Sequence, residues 1–247
     1  MKQDEVKIDG HSFEYRVYAE DPSRKFLPSI GFLTKYLEPK AHPDVRIDTG
    51  VQEGSEISMY YDPMISKLIT WGKDRQTALD LLNEKFDEYV VQGVAHNIGF
   101  GKSIVENEDF IKGDYSTAFI DKFYPEGYSG KTLTPVHKQS IALAAFNMRN
   151  TLITQNAFVN SATPQTEKIM YVVIQGNRED KDQEWKVECH SNGTYTLTDL
   201  ANLEAKTIDM KDFKYEHNSL IEMHHNGNNI KLQYLGSQHD LNFDFYF

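Results

Sequence analysis

With 247 residues, 39% of them hydrophobic, the chain can build two ordinary domains with cores of their own, and two are expected. A formal net charge of −11, with no long lysine or arginine run to offset it, excludes phosphate backbones and anionic lipid as partners, so neither nucleic acid nor a membrane is expected. A single cysteine, Cys189, excludes an internal disulfide and a thiolate metal site and suits a reducing compartment.

The chain opens on "MKQDEVKIDG", too polar for a signal peptide and too acidic for a mitochondrial transit segment. No apolar run reaches the roughly 18 residues of a membrane-spanning helix, so a soluble chain is expected. In "HSFEYRVYAEDP" Phe13, Tyr15 and Val17 share one face at period two, a half-buried strand that Asp21-Pro22 ends in a turn. In "DVRIDTG" the alternation puts Val45 and Ile47 on one face and Arg46 on the other. "YYDPMISKLITWGKDR" predicts a strand over roughly 63–72, in which Lys67 shares the parity of Ile65, Ile69 and Trp71. Its stem is expected along apolar surface with the ammonium reaching outward or meeting a carboxylate. Asp74 then caps a helix carrying Ala78, Leu81, Leu82, Phe86 and Tyr89 at three- and four-residue steps, with Gly93 as its C-terminal cap. Further short helices fit "NIGFGKSIVEN" and "DYSTAFIDKFY".

The aperiodic "PEGYSGKTLTP" reads as a linker, which sets a first domain at 1–124, a linker at 125–133 and a second domain at 134–247. Thr134 is a helix N-cap with Pro135 in the first turn. Val136, Ile141, Leu143, Ala144, Ala145, Phe146, Met148 and Leu152 make that helix apolar around most of its circumference, so it needs to be surrounded. Eight short strands follow, from "KIMYVVIQG" to "HDLNFDFYF", with "LEAKTIDM" and "FKYEH" counted separately. Asn192-Gly193 and Asn226-Gly227 are expected as two-residue type I′ hairpin turns. Leu241, Phe243, Phe245 and Phe247 give the last strand one apolar face. Closing eight antiparallel strands around the helix would remove the exposed edges. The fold class is therefore α+β, an antiparallel sheet with helices followed by an eight-stranded antiparallel β-barrel around a long helix.

No glycine-rich phosphate loop, HExxH, G-x-S-x-G or Cys/His ligand spacing is present, and no metal site is expected. His224 and His225 would point to opposite faces of a strand, and the pair is expected to flank a turn in solvent. Glu20-Asp21 could serve as a carboxylate pair, but its position before Pro22 favours turn residues.

Taken in order, "GHSFEYRVYAEDP", "FLPSIGFLTKYLEP", "DVRIDTGVQEGSEISMYYDPMISKLITWGKDRQTAL", "VVQGVAHNIGF" and "FIKGDYSTAFI" resemble the carboxyl-terminal part of biotin carboxylase, the ATP-dependent component of biotin-dependent carboxylases. The resemblance spans about 7–122. "YPEGYSGKTLT", the helix, the barrel and "LQYLG" resemble the docking module of propionyl-CoA carboxylase alpha subunits. The resemblance implies a ligase that carboxylates biotin with ATP, Mg²⁺ and bicarbonate, and a carboxyltransferase beta subunit as partner in a hetero-oligomer. The family's ATP-grasp machinery would precede Met1, and the biotin carrier domain would follow Phe247.

By the same resemblance Arg46 is the catalytic residue: its counterpart holds bicarbonate and the biotin ureido oxygen as negative charge develops. A guanidinium suits that role, since it stays charged and presents a planar donor fork. Phe26, in "RKFLPSIG", falls where a phenylalanine is associated with biotin binding, and core packing is the alternative. The family places such subunits in the mitochondrial matrix of eukaryotes or the cytoplasm of bacteria. A methylcrotonyl-CoA carboxylase alpha subunit shares the same plan, and an acidic adaptor without catalytic descent is the reading from another class.

Overall fold

The computed structural model describes residues 2–175, 181–216, 220–225, 227–236 and 244–246. They divide into two compact units, Met1–Lys131 and Thr132–Phe247.

The first unit opens with β1 (His11–Tyr18), followed by the two-residue ladder of β2 (Glu20–Asp21) and β3 (Leu27–Pro28). Next come β4 (Gly31–Phe32), β5 (Lys35–Leu37), β6 (Val45–Thr49), β7 (Glu56–Ile57) paired with β4, and β8 (Met64–Gly72). Helix α1 (Arg75–Phe86) leads to β9 (Val90–Gln92), which pairs with β5, and then to α2 (Ile98–Val105), α3 (Glu108–Lys112) and α4 (Phe119–Phe123). The sequence reading missed α3, which Asn107 caps by accepting from the Asp109 N–H at 2.9 Å.

The main sheet runs β1-β8-β6, all antiparallel, with β8 in the middle. Register explains which face is core. Phe13 and Val45 flank Thr70, Tyr15 and Ile47 flank Leu68, and Val17 and Thr49 flank Ser66, so the expected apolar faces of three strands become one surface. Ser66, Leu68 and Thr70 are buried on it, and the Thr70 hydroxyl donates to the Ala78 carbonyl of α1 at 2.9 Å.

Asp74 caps α1 as the sequence suggests, accepting from the Thr77 N–H at 2.8 Å. The helix buries Ala78, Leu79, Leu82 and Phe86, each large side chain contributing about 1.5–3 kcal/mol, while Leu81 lies at the edge of this stripe. Gly93 is not its cap. The helix ends at Phe86 because Val90 and Val91 enter a strand, and Gly93, at φ 100, lets the chain pass so close to the Phe32 carbonyl that a Cβ would collide with it. Gly101 on α2 is required for a different reason, since the Tyr15 ring fills the space that a Cβ would take.

In the second unit α5 (Pro135–Val159) starts at Thr134, whose hydroxyl accepts from the His137 N–H at 3.2 Å. Ala142 to Phe146 are five consecutive buried residues, more than one full turn, so the helix is covered on every side at mid-length. It shares its core with a sheet that, among the described residues, is a seven-stranded antiparallel meander: β10 (Ile169–Ile174), β11 (Gln183–Cys189), β12 (Thr194–Asp199), β13 (Glu204–Glu216), β14 (Leu220–His225), β15 (Asn228–Gly236) and β16 (Asp244–Tyr246). Val172, Trp185, Leu197, Ile208, Met223 and Leu232, from six of these strands, share one core with Phe146 and Met148.

Three expectations are corrected here. "LEAKTIDM" and "FKYEH" fall together in the single strand β13 as far as Glu216, because the intervening Lys211-Asp212 holds no glycine or proline to break it. A register shift between Met210 and Asp212 bends the strand instead, its first half pairing with β12 and its second with β14. Among the described residues the sheet therefore has seven strands, and no ladder joins β10 to β16. The Asn192-Gly193 turn is a three-residue loop closed by the His190 N–H to Thr194 carbonyl bond at 2.9 Å. Gly193 alone is left-handed there, φ 82, whereas a type I′ turn needs positive φ at both central residues. Between β14 and β15 two residues do connect His225 to Asn228, but Asn226 lies outside the described residues. So do Leu241, Phe243 and Phe247, together with residues 176–180 between β10 and β11.

The last correction concerns His225, which is buried rather than solvated, with its Nε2 2.8 Å from the Ser140 hydroxyl of α5. Among the described residues no helix is long and apolar enough to cross a membrane, and no three His, Cys, Asp or Glu side chains gather at metal-binding distance.

Candidate functional site

The face of the β1-β8-β6 sheet opposite its core is charged. Pleating turns Glu14 and Arg16 of β1, Lys67 of β8, and Arg46 and Asp48 of β6 to that side, in two cross-strand rows. Arg16, Lys67 and Asp48 form one row; Glu14, Ile69 and Arg46 form the other. The Arg46 side chain is 73% exposed, and its Nη2 donates to Asp48 Oδ2 at 2.8 Å. That hydrogen bond, then the Asp48 charge, and more weakly Glu14, hold the guanidinium above its ordinary value. The result is a permanent cation held on one side by a carboxylate, with its remaining N–H donors directed to solvent.

Lys67 keeps the predicted parity with Ile65, Ile69 and Trp71, but the deeply buried row of β8 is the other one. Lys67 stands in register between Arg16 and Asp48 on the charged face. Behind this face, hydroxyls fix β6. The Tyr36 hydroxyl lies 3.0 Å from Thr49 Oγ1 and 2.6 Å from the Tyr89 hydroxyl, which lies 2.5 Å from Ser66 Oγ. Burial pushes both phenols up, so they stay protonated and neutral across the physiological range.

Phe26 lies elsewhere. It follows the short turn after β2, where its N–H donates to the Asp21 carbonyl at 2.8 Å, and both Lys25 and Phe26 are left-handed, φ 57 and 58. Its ring meets Phe100 edge to face at 4.9 Å, and Phe100 in turn meets Tyr124 and Tyr128. No hydrogen bond or ring contact joins Phe26 to Arg46 among the described residues.

Asp21 is a turn residue, accepting from the Ser23 N–H at 3.0 Å. Glu20 differs, because burial first and then the charge of Asp62 push its carboxyl up. Asp62 itself caps the entry to β8 by accepting from the Met64 N–H at 3.0 Å. Sequence reasoning singled out Arg46 and not its neighbours, because Asp48, Lys67, Arg16 and Glu14 come together only through strand register. The period-two pattern could have placed each on the outer side of its own strand.

The profile of the biotin carboxylase C-terminal domain matches residues 14–122, which contain all five charged residues of this face. That stretch is similar to a biotin carboxylase C-terminal domain. The human mitochondrial propionyl-CoA carboxylase alpha chain is 51% identical over 146 residues, which cover 58% of this chain and 20% of that one. The Ruegeria pomeroyi propionyl-CoA carboxylase alpha chain is 42% identical over 167 residues, 60% of this chain and 24% of that one. A mitochondrial methylcrotonoyl-CoA carboxylase subunit alpha of Dictyostelium discoideum is 41% identical over 155 residues, 63% and 22%. The chain thus spans about a fifth of the length of the curated relatives it matches. The chain is thus similar to one part of those carboxylases.

Proposed function

We propose that the chain is part of a propionyl-CoA carboxylase alpha subunit, contributing to the ATP-dependent carboxylation of biotin with bicarbonate and docking the carboxyltransferase beta subunit. The observation that carries this reading is Arg46, an exposed guanidinium held by Asp48 inside the matched stretch. As bicarbonate and the biotin ureido oxygen gather negative charge, Arg46 offers preorganised N–H donors at neutral pH, and Asp48 fixes its orientation. Biotin supplies a ureido group that accepts and carries the carboxyl; the guanidinium fits its oxygen. Phe26 would give the biotin ring system an apolar wall. ATP and Mg²⁺ would bind mainly to other segments of the subunit.

In this reading residues 1–124 act in carboxylation, 125–133 link, and 134–247 form the docking module, a barrel closed around α5 through β10 and the C-terminal strand. The complete burial of Ala142 to Phe146 supports closure. The propionyl assignment is favoured over methylcrotonyl by 51% against 41% identity, and the mitochondrial names of the animal relatives favour the matrix for a eukaryotic source.

The test is to purify the full-length subunit and follow ADP release with ATP, Mg²⁺ and free biotin. Release that depends on bicarbonate and biotin is expected, together with co-purification of a beta subunit. Release indifferent to both would contradict the reading.

A further inference from the structure

The second unit carries a cavity of about 520 Å³ between the start of α5 and the ends of β11, β12 and β13, a volume within the roughly 300–1,000 Å³ of small-molecule sites. Register explains its walls. Trp185, Asp199 and Glu204 form one cross-strand row, and Val187, Leu197 and Lys206 form the next, all on the face that carries the core. Polar side chains therefore take over from apolar ones toward this end of the face.

The group that points to a ligand is Trp185. It lines the cavity and is 5% exposed, and its indole N–H has no hydrogen-bond partner among the described residues. An indole nitrogen donates and never accepts, and a buried one normally finds a partner, so this group needs an acceptor oxygen brought to it. The rest of the lining says which kind. Lys206 stands opposite Leu197, and Lys138 lies near the start of a 25-residue helix whose positive dipole end has no acidic residue in its first turn. Burial first, and then the charge of Lys206, lower the His225 pKa, so that ammonium acts on the inner face. A carboxylate is the acceptor that two ammonium groups and an indole N–H favour together, because each contact is charge-assisted. Asp199 and Glu204 set the limit. They stand directly opposite each other at the rim, one Asp199 oxygen accepting from the Ala201 N–H at 2.9 Å, and they repel any second negative charge. Leu197, fully buried, and the Trp185 ring give a short hydrocarbon chain an apolar floor.

We propose that this cavity binds a small organic monocarboxylate, its oxygens accepting from the Trp185 N–H, Lys138 and Lys206 and its hydrocarbon chain lying along Leu197. The site lies wholly within the second unit, so the proposal stands apart from the carboxylase reading.

The test is titration of the 247-residue chain, isotopically labelled at the tryptophan indole nitrogens, with hexanoate, adipate and hexylamine, followed by nuclear magnetic resonance. The chain holds two tryptophans, and Trp71, whose indole N–H donates to the Asp9 carbonyl at 3.0 Å in the first unit, is the internal control. Trp71→Phe assigns the two signals. Hexanoate should move the Trp185 indole proton downfield and saturate, while the Trp71 signal stays in place. Adipate should bind about tenfold more weakly, the effect of one added like charge, and hexylamine should leave the signal unmoved. Lys138→Met and Lys206→Met keep the stems and remove the charges, and each should weaken hexanoate binding about tenfold, the loss of one charge-assisted contact. An unmoved or non-saturating Trp185 signal leaves the N–H to water and overturns the proposal. So does adipate or hexylamine binding as tightly as hexanoate, or a hexanoate affinity unchanged in both lysine variants.

Discussion

Two consecutive non-glycine residues in the left-handed region, Lys25 and Phe26, each cost about 1–2 kcal/mol relative to ordinary backbone. Such strain persists only where packing over-determines it, and the ring of Phe26 against Phe100 is the contact that does so. If Phe26 also walls the biotin site, Phe26→Ala in the full-length subunit should raise the KM for free biotin about tenfold, the loss of one aromatic contact, with bicarbonate KM unchanged. An unaltered biotin KM with a lowered melting temperature would leave Phe26 as packing for Phe100 alone. Arg46 and Phe26 were singled out in the sequence because the motifs around them are specific. Their surroundings were not, since a left-handed backbone at Phe26 and a carboxylate clasp on Arg46 depend on turn geometry and side-chain reach that no short motif records.

At the scale of elements, α5 depends on its cover. Phe146 is 1% exposed and meets Tyr195 edge to face at 5.8 Å, so Phe146→Ala should cost about 3–5 kcal/mol and unfold the second unit at markedly lower denaturant. A change under about 1 kcal/mol would show that the strands do not enclose the helix as described. A second link between α5 and the sheet is polar. The Ser140 hydroxyl donates to the Val136 carbonyl at 2.7 Å, so it accepts from His225 Nε2–H, and His225 Nδ1 is a buried acceptor with no partner among the described residues. Burial, then Lys206 and His224, lower the His225 pKa below its ordinary 6.5. Above that value the ring is neutral in folded and unfolded chains alike. As pH falls through 6.5 the unfolded chain takes up a proton that the folded one resists, so stability is lost progressively below 6.5. Urea midpoints for the second unit should fall between pH 7.5 and 5.5, and fall less in His225→Gln; equal pH dependence in both proteins would remove His225 as the cause.

At the scale of the molecule, the long helices and the longer strands were legible because period two and period 3.6 are strong signals: β1, β6, β8, α5 and the start of α1 stand where alternation and N-caps put them. What failed were features set by a partner outside the local window. The merging of two strands into β13 depends on β12 and β14 pairing with its two halves, and the burial of His225 depends on Ser140, 85 residues away. The charged face of the first unit is of the same kind, assembled by register from three strands, and it is where the account is most exposed to refutation. The direct test is bicarbonate- and biotin-dependent ATP cleavage by the full-length subunit with Arg46→Ala, with circular dichroism to verify folding. The account predicts a folded protein whose kcat falls about a hundredfold, the usual effect of removing one preorganised charge-stabilising donor. Turnover within about threefold of wild type would contradict it, since chemistry that needs no guanidinium there is not taking place on this face.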